Sequence, residues 1–268
     1  MAYYEAALQQ WSPTVESLTI ATRVGSTHIL ATGPSAAPPL LLFHGLGDNA
    51  LLWRPLFAGL RERYRLYAPD IPGQPGRSAS VRLSYGGATC GEWLQNVINA
   101  LAIVSVDLIG LSLGGFLALR LGALAPLRVG RILLLSPAGM APVRFSTMLR
   151  LLPVGLFPSR ASCRWFMQRH GATVTDQALE WAYLMSRHYI PAPPPLLLPP
   201  DELQRVTAPV SILVGQHDLF FSAEAMLRRA RHYLPDLAAT KILPGAGHNL
   251  VREKPDIVQA FALSTLER

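Results

Sequence analysis

The chain has 268 residues, of which 50% are hydrophobic and 15% charged; that is enough apolar material for one large α/β domain or two small ones, and it argues against disorder as the main state. A net charge of +7 raises the question of a nucleic-acid partner; only Lys241 and Lys254 are lysines, the arginines are scattered, and no recognition helix, zinc spacing or aromatic-basic pattern accompanies them, so nucleic acid is excluded as the expected partner. The N-terminus has no Lys or Arg before Arg23 and no apolar run is long enough for a bilayer, so the expectation is a cytoplasmic protein with no membrane partner.

In chain order, "SLTIATRV" and "STHILATG" read as a β-hairpin joined at Gly25. "PPLLLFHG" is a continuous apolar strand of the kind buried on both faces of a parallel sheet. "ALLWRPLFAGLRERY" places Leu52, Leu56 and Leu60 at helical spacing, and "RLYAPD" follows as a strand. The alternation continues with a helix in "CGEWLQNVINALAI", a strand in "SVDLIGL", a helix in "GGFLALRLGALA" and a strand in "GRILLLSPAG". This rhythm predicts a mostly parallel sheet with helices on both faces.

The rhythm stops near Met140. Residues 141–206 hold aromatics and Met on helix-like pieces (Trp165, Phe166, Met167; Trp181, Tyr183, Met185), then the proline run Pro191 to Pro200, which predicts an extended connector. Alternation resumes with "PVSILVG", "SAEAMLRRARHYL", "ATKILPG" and a last helix through "IVQAFALSTL". The expected organisation is a core of residues 1–140 and 207–268 with a helical lid inserted at 141–206. Two local basic groups, Arg61, Arg63 and Arg65, then Arg228, Arg229 and Arg231, read as solvated faces near helix C-termini, where cations suit the dipole, with an anionic partner or surface as the alternative. Cys90 and Cys163 stand alone, with neither disulfide nor metal spacing, and no metal or cofactor is expected.

Ligands of such sheets collect at the carboxyl ends of the strands. Four loops there carry suggestive residues: "FHGLGDN", "GLSLGG" around Ser112, "GQHDLFFS" with Asp218, and "PGAGHNL" with His248. "Gly110-Leu111-Ser112-Leu113-Gly114" fits G-x-S-x-G, and the order Ser112, Asp218, His248 resembles that of the α/β-hydrolase family. "APDIPGQPGRSA" around Asp70 and the "HG" of His44 and Gly45 are also similar to loops of that family. The likeness covers most of the chain outside the lid.

The resemblance implies an α/β-hydrolase fold and a serine hydrolase. A hydroxyl needs a base to become a nucleophile, and a sharp strand-to-helix turn at Ser112 would lift its oxygen toward one. Ser112 is then the nucleophile, His248 the base, and Asp218 the carboxylate that orients the histidine. The backbone N–H groups of Leu46 and Leu113 map to the oxyanion hole. The serine separates the chain from relatives with aspartate at the elbow. Cleavage of a carboxylic ester is the leading expectation, with an apolar acyl or aromatic group in a small-molecule substrate. A lactone, a thioester or the carbon–carbon bond of a diketone remains as an alternative, as does a catalytically silent binding protein.

Blander readings stand beside each assignment. Ser112 could be a turn serine, Asp218 an acid at the helix start near Ser222 and Glu224, and His248 a structural histidine. Asp107 lies at the wrong end of its strand to be the acid, and His217 reads as a loop residue. His44 reads as a scaffold of the oxyanion loop, and Asp70 as a brace for the loop containing Pro72, Gly73, Pro75 and Gly76. No lid aromatic is ranked above another as substrate wall.

Overall fold

The computed structural model describes residues 2–9, 11, 15–169, 174–190 and 193–266. No sequence pattern announces its first element, helix α1 (Ala2–Gln9). The predicted hairpin follows as β1 (Glu16–Thr22) and β2 (Gly25–Thr32), with Gly25 at φ +106° in the turn. Then come β3 (Pro39–Phe43), a 3-10 turn at Ala50–Trp53, α2 (Arg54–Leu60), β4 (Arg65–Pro69), α3 (Ala88–Ala100), β5 (Val106–Leu111), α4 (Leu113–Leu124) and β6 (Val129–Leu135). Between β6 and the next strand stand α5 (Phe145–Leu156), α6 (Arg160–Arg169), α7 (Asp176–His188) and the short α8 (Pro200–Gln204). The chain closes with β7 (Val210–Gly215), α9 (Ala223–Tyr233), β8 (Leu237–Leu243), α10 (Leu250–Glu253) and α11 (Pro255–Leu266). Of the proline run, residues 191 and 192 lie outside the described residues; 193–199 have no regular structure, and Pro200 opens α8, where a missing N–H costs nothing.

The eight strands form one sheet in the order β1-β2-β4-β3-β5-β6-β7-β8, antiparallel at β1–β2 and β2–β4 and parallel elsewhere. Each face has its own core, because side chains alternate along a strand. From β3, Leu41 and Phe43 join Trp93, Leu108, Phe116 and Met226 on the face covered by α3, α4 and α9. Leu40 and Leu42 join Trp53, Leu56, Ile109 and Val258 on the face covered by α2 and α11. Helix α4 is buried from Leu113 to Ala123, which explains why its sequence is apolar all round.

One expectation is corrected: Arg65 does not end a helix. It begins β4, and its guanidinium, nearly buried, donates 2.7 Å bonds to both carboxylate oxygens of Glu16 and a 2.9 Å bond to the Gly33 carbonyl. The structure finds this charge a partner on the edge strand rather than a helix dipole. Asp70 braces its loop as expected. Fully buried, it accepts the N–H of Ala50 at 2.9 Å and of Arg77 at 2.9 Å, and lies 3.1 Å from Nδ1 of His28.

Burial alone would raise the Asp70 carboxyl, yet His28 and the two backbone donors outweigh it and hold the group below its ordinary value. An aspartate whose folded pKa is depressed contributes stability above its unfolded value, about 3.9, and loses it as pH falls through the folded one. Asp70→Asn should cost about 1.5–3 kcal/mol at neutral pH and flatten the acid limb of a urea-midpoint-against-pH curve. A second test concerns backbone proximity. A Cβ on Gly114 would sit 1.8 Å from the Phe43 carbonyl oxygen, whereas one on Gly155 meets nothing within 4 Å. Gly114→Ala should therefore destabilise by about 4 kcal/mol or more, and Gly155→Ala, inside α5, should be neutral or stabilising by up to about 1 kcal/mol, both read by urea unfolding.

Candidate active site

Ser112 occupies the single residue between β5 and α4, at φ 52° and ψ −111°. A residue with a Cβ is strained in this region, and the surroundings hold it there. Its N–H donates to the Leu135 carbonyl at 2.9 Å, and its own carbonyl accepts from Ala138 at 2.9 Å and Phe116 at 3.2 Å. The glycines beside it are required by space. A Cβ on Gly110 would lie 2.3 Å from the Gly114 oxygen, and one on Gly115 would lie 2.7 Å from Cβ of Pro137. Ser112 is partly exposed while the residues on either side of it are buried.

Strand order puts the neighbouring loop beside it. The connection after β3 returns to β4 on one side, while that after β5 goes to β6 on the other, so a crevice opens between them at the carboxyl edge. Gly45 lines it; a Cβ there would stand 3.7 Å from Cβ of Ser112. His44 is fully buried. The Ile71 N–H donates to its Nε2 at 3.0 Å, which leaves the proton on Nδ1, donated to the Gly45 carbonyl at 2.8 Å. Burial depresses its pKa and keeps the ring neutral. His44 is thus a strut of the loop, as the sequence reading has it.

The next residues fix which amide is left over. Gly47, at φ +73°, donates its N–H to Oε1 of Gln74 at 2.7 Å. The same oxygen accepts the Tyr189 hydroxyl at 2.7 Å, and Nε2 of Gln74 donates to the Tyr85 hydroxyl at 2.6 Å. Among the described residues, the N–H groups of Leu46 and Leu113 donate to no backbone or side-chain acceptor. Sequence reasoning missed Gln74, Tyr85 and Tyr189, since nothing in their spacing links them to Gly47.

Asp218 and His248, 30 residues apart, are joined: Nδ1 of His248 is 2.8 Å from Oδ2 of Asp218. The other carboxylate oxygen accepts the N–H of Phe220 at 2.8 Å and of Phe221 at 3.0 Å. Burial would raise this carboxyl; the adjacent His248 and the Phe221 amide outweigh it and hold it below the ordinary range. It therefore stays ionised, accepts the Nδ1 proton and leaves Nε2 of His248 as the free acceptor. The N-cap of α9 is Ser222, whose side chain accepts from Ala225, so Asp218 does not cap that helix. Asp107 accepts the Arg131 N–H at 2.7 Å at the opposite edge of the sheet.

The loops that carry Asp218 and His248 are stitched together. His217 donates its N–H to the Ala246 carbonyl at 2.8 Å, and a Cβ on Gly215 would meet the Gly247 oxygen at 1.9 Å. Glu253 accepts the N–H groups on both sides of His248, from Gly247 at 2.5 Å and Asn249 at 3.1 Å. Arg252 then ties this loop to the one after β3 by reaching both oxygens of Asp48 at 2.9 Å. Phe220 and Phe221 flank the His248 ring, at 4.6 and 5.6 Å between centroids. No hydrogen bond joins the Ser112 hydroxyl to His248 among the described residues.

Two cavities, of about 560 and 540 Å³, are lined by neither Ser112 nor His248, and Gln74 and Tyr189 line the second. Trp181 lines the second, Tyr183 packs under the Arg160 guanidinium at 4.4 Å, and Trp165 is exposed. Among the described residues no group of three His, Cys, Asp or Glu could hold a metal.

The model of the alpha/beta hydrolase family matches residues 40–260. An uncharacterized carboxylesterase, nap, of Bacillus subtilis (strain 168) is 30% identical over 95% of this chain and 88% of its own. Carboxylesterase YbfK of the same organism is 28% identical over 98% of this chain and 92% of its own. The crystal structure of a naproxen esterase (carboxylesterase NP) from Bacillus subtilis superposes with a TM-score of 0.86 at 28% identity, covering 99% of this chain and 96% of the other. With the sheet order, the serine turn and these likenesses in agreement, the chain belongs to the alpha/beta hydrolase family and is a hydrolytic enzyme.

Proposed function

We propose that the chain hydrolyses carboxylic esters through an acyl intermediate on Ser112. The observation that carries this reading is the 2.8 Å bond from His248 to the ionised Asp218, which fixes the imidazole tautomer with Nε2 unprotonated, beside a sheet edge that presents Ser112. The carboxylesterase names of relatives spanning nearly the whole chain support the choice of ester bond. Residues 141–206 act as the lid over a core of 1–140 and 207–268, and their apolar content favours an apolar acyl or aromatic group.

In this mechanism Nε2 of His248 takes the Ser112 proton as the hydroxyl oxygen attacks the acyl carbon. The Leu46 and Leu113 N–H groups, without other acceptors, receive the oxyanion. The imidazolium, stabilised by Asp218, returns the proton to the departing alcohol as the acyl C–O bond breaks. Water then repeats the sequence against the acyl-serine and regenerates Ser112. Gln74 acts at one remove: by occupying the Gly47 N–H it sets the turn that leaves Leu46 free.

An organophosphonate probe should label Ser112 in the wild-type protein, located by peptide mass spectrometry. Ser112→Ala should remain folded and lose about 10⁴-fold or more of kcat on activated esters; turnover persisting in that variant would discard the mechanism. Asp218→Asn should lower kcat by about 10²–10⁴-fold with little change in KM, because the amide favours the wrong tautomer. A near-normal rate would give the acid's role to another carboxylate.

A further inference from the structure

From Arg144 to Arg169 the chain carries five arginines and no acidic residue. This stretch is α5 and α6. On α5, Thr147 is buried and Leu151 and Val154 are partly covered, while Phe145, Leu149, Leu152 and Leu156 are exposed, Phe145 by 73% and Leu156 by 67%. At the helical repeat those four residues form one stripe. Just past the helix end Phe157 is 74% exposed, and on α6 the Trp165 indole is exposed as well. Scattered apolar side chains on a surface need no explanation, but a contiguous stripe marks an interaction site.

The charges frame the stripe. By the same repeat Arg144 and Arg150 fall on its two flanks. Arg160 is engaged by Glu180, at 2.7 Å, but Arg150, Arg164 and Arg169 have no hydrogen bond or ion pair among the described residues. Along the chain just before α5, Met140 and Pro142 line the 560 Å³ cavity together with Arg228 and Arg231 of α9, so the cationic character continues beyond the lid. The hydrolytic site uses none of these residues.

We propose that α5 and α6 dock on an anionic lipid surface, with the stripe entering the acyl boundary and the free arginines meeting headgroup phosphates. Twelve residues of α5 are too short to span a bilayer, and no helix among the described residues is long and apolar enough to cross one. The helix lies in the plane of the interface, the position an apolar stripe between cationic flanks favours. A second copy fits poorly, because a two-fold pairing of this face sets arginine against arginine with no acid in the segment to offset them. The sequence reading expects no membrane partner and keeps an anionic surface only as the alternative for its basic groups; docking of α5 and α6 departs from that expectation.

The test is co-sedimentation of the full chain with vesicles of phosphatidylcholine alone and of phosphatidylcholine containing phosphatidylglycerol. Binding should require the anionic lipid and weaken as salt is raised. The pair Leu149→Ser with Leu156→Ser, and separately the pair Arg150→Glu with Arg164→Glu, should each weaken it by about tenfold or more, with unchanged thermal melts and unchanged cleavage of a soluble short-chain ester. Equal binding to both vesicle types, no binding to either, or binding indifferent to both variants would overturn the proposal. So would a lipid-free dimer in light scattering that the leucine variant disperses, which assigns the face to a second copy, or retention on polyglutamate without vesicle binding, which assigns it to an acidic polypeptide.

Discussion

At Ser112 the backbone leaves β5 in a conformation that costs a residue with a Cβ about 1–3 kcal/mol, and the rest of the carboxyl edge is arranged so that this conformation persists. The adjacent strand end takes its N–H through Leu135, and its carbonyl receives the Ala138 amide from the far side of β6. Helix α4 can begin immediately because glycines at 114 and 115 admit the Phe43 carbonyl and the Pro137 ring at distances that no side chain permits. Strain at one residue is thereby balanced by close packing of backbone against backbone, and the serine remains at the surface of an otherwise buried segment.

Around that turn the structure spends its buried polar groups on holding loops rather than on chemistry. Asp70 and His44 link the loop after β3 to the loop after β4, Gln74 adds a further link to α7 through Tyr189, and Arg252 with Asp48 joins the same region to the histidine loop. Glu253 grips both sides of His248. Asp70, His44, Gln74 and Glu253 satisfy backbone amides or carbonyls near the crevice, and Arg252 with Asp48 adds a side-chain tie between loops, which is the condition for irregular loops to keep a fixed geometry. In the proposed mechanism this rigidity leaves two amides and one imidazole nitrogen without partners, and those are the groups the reaction uses.

The inserted helices contrast with this economy. Their inner sides are tied to the body by a few polar contacts, such as the Tyr189 hydroxyl and the Arg82 guanidinium on the Ile190 carbonyl, while α5 turns a row of Phe and Leu outward. On the two proposals made above the work of the molecule is divided: chemistry belongs to the rigid strand ends, and contact with surroundings to the apolar outer face of the inserted helices.

The sequence by itself determined the alternation of strands and helices, since periodicity and apolar runs are local properties, and it named Ser112, Asp218 and His248 because their loops follow recognisable strands in a recognisable order. It also marked His44 and Asp70 as structural. It misread Arg65, whose neighbours look helical but whose partner, Glu16, is 49 residues away on the edge strand, and it gave no sign of α1. Only the tertiary structure decided that Asp218 pairs with His248 instead of capping α9, that Gln74 occupies the Gly47 amide, and that the leucines of α5 face outward. The first two are contacts between residues far apart in the chain and the third is the lack of such contacts; both are set by how the elements pack, and no local pattern of residues encodes them.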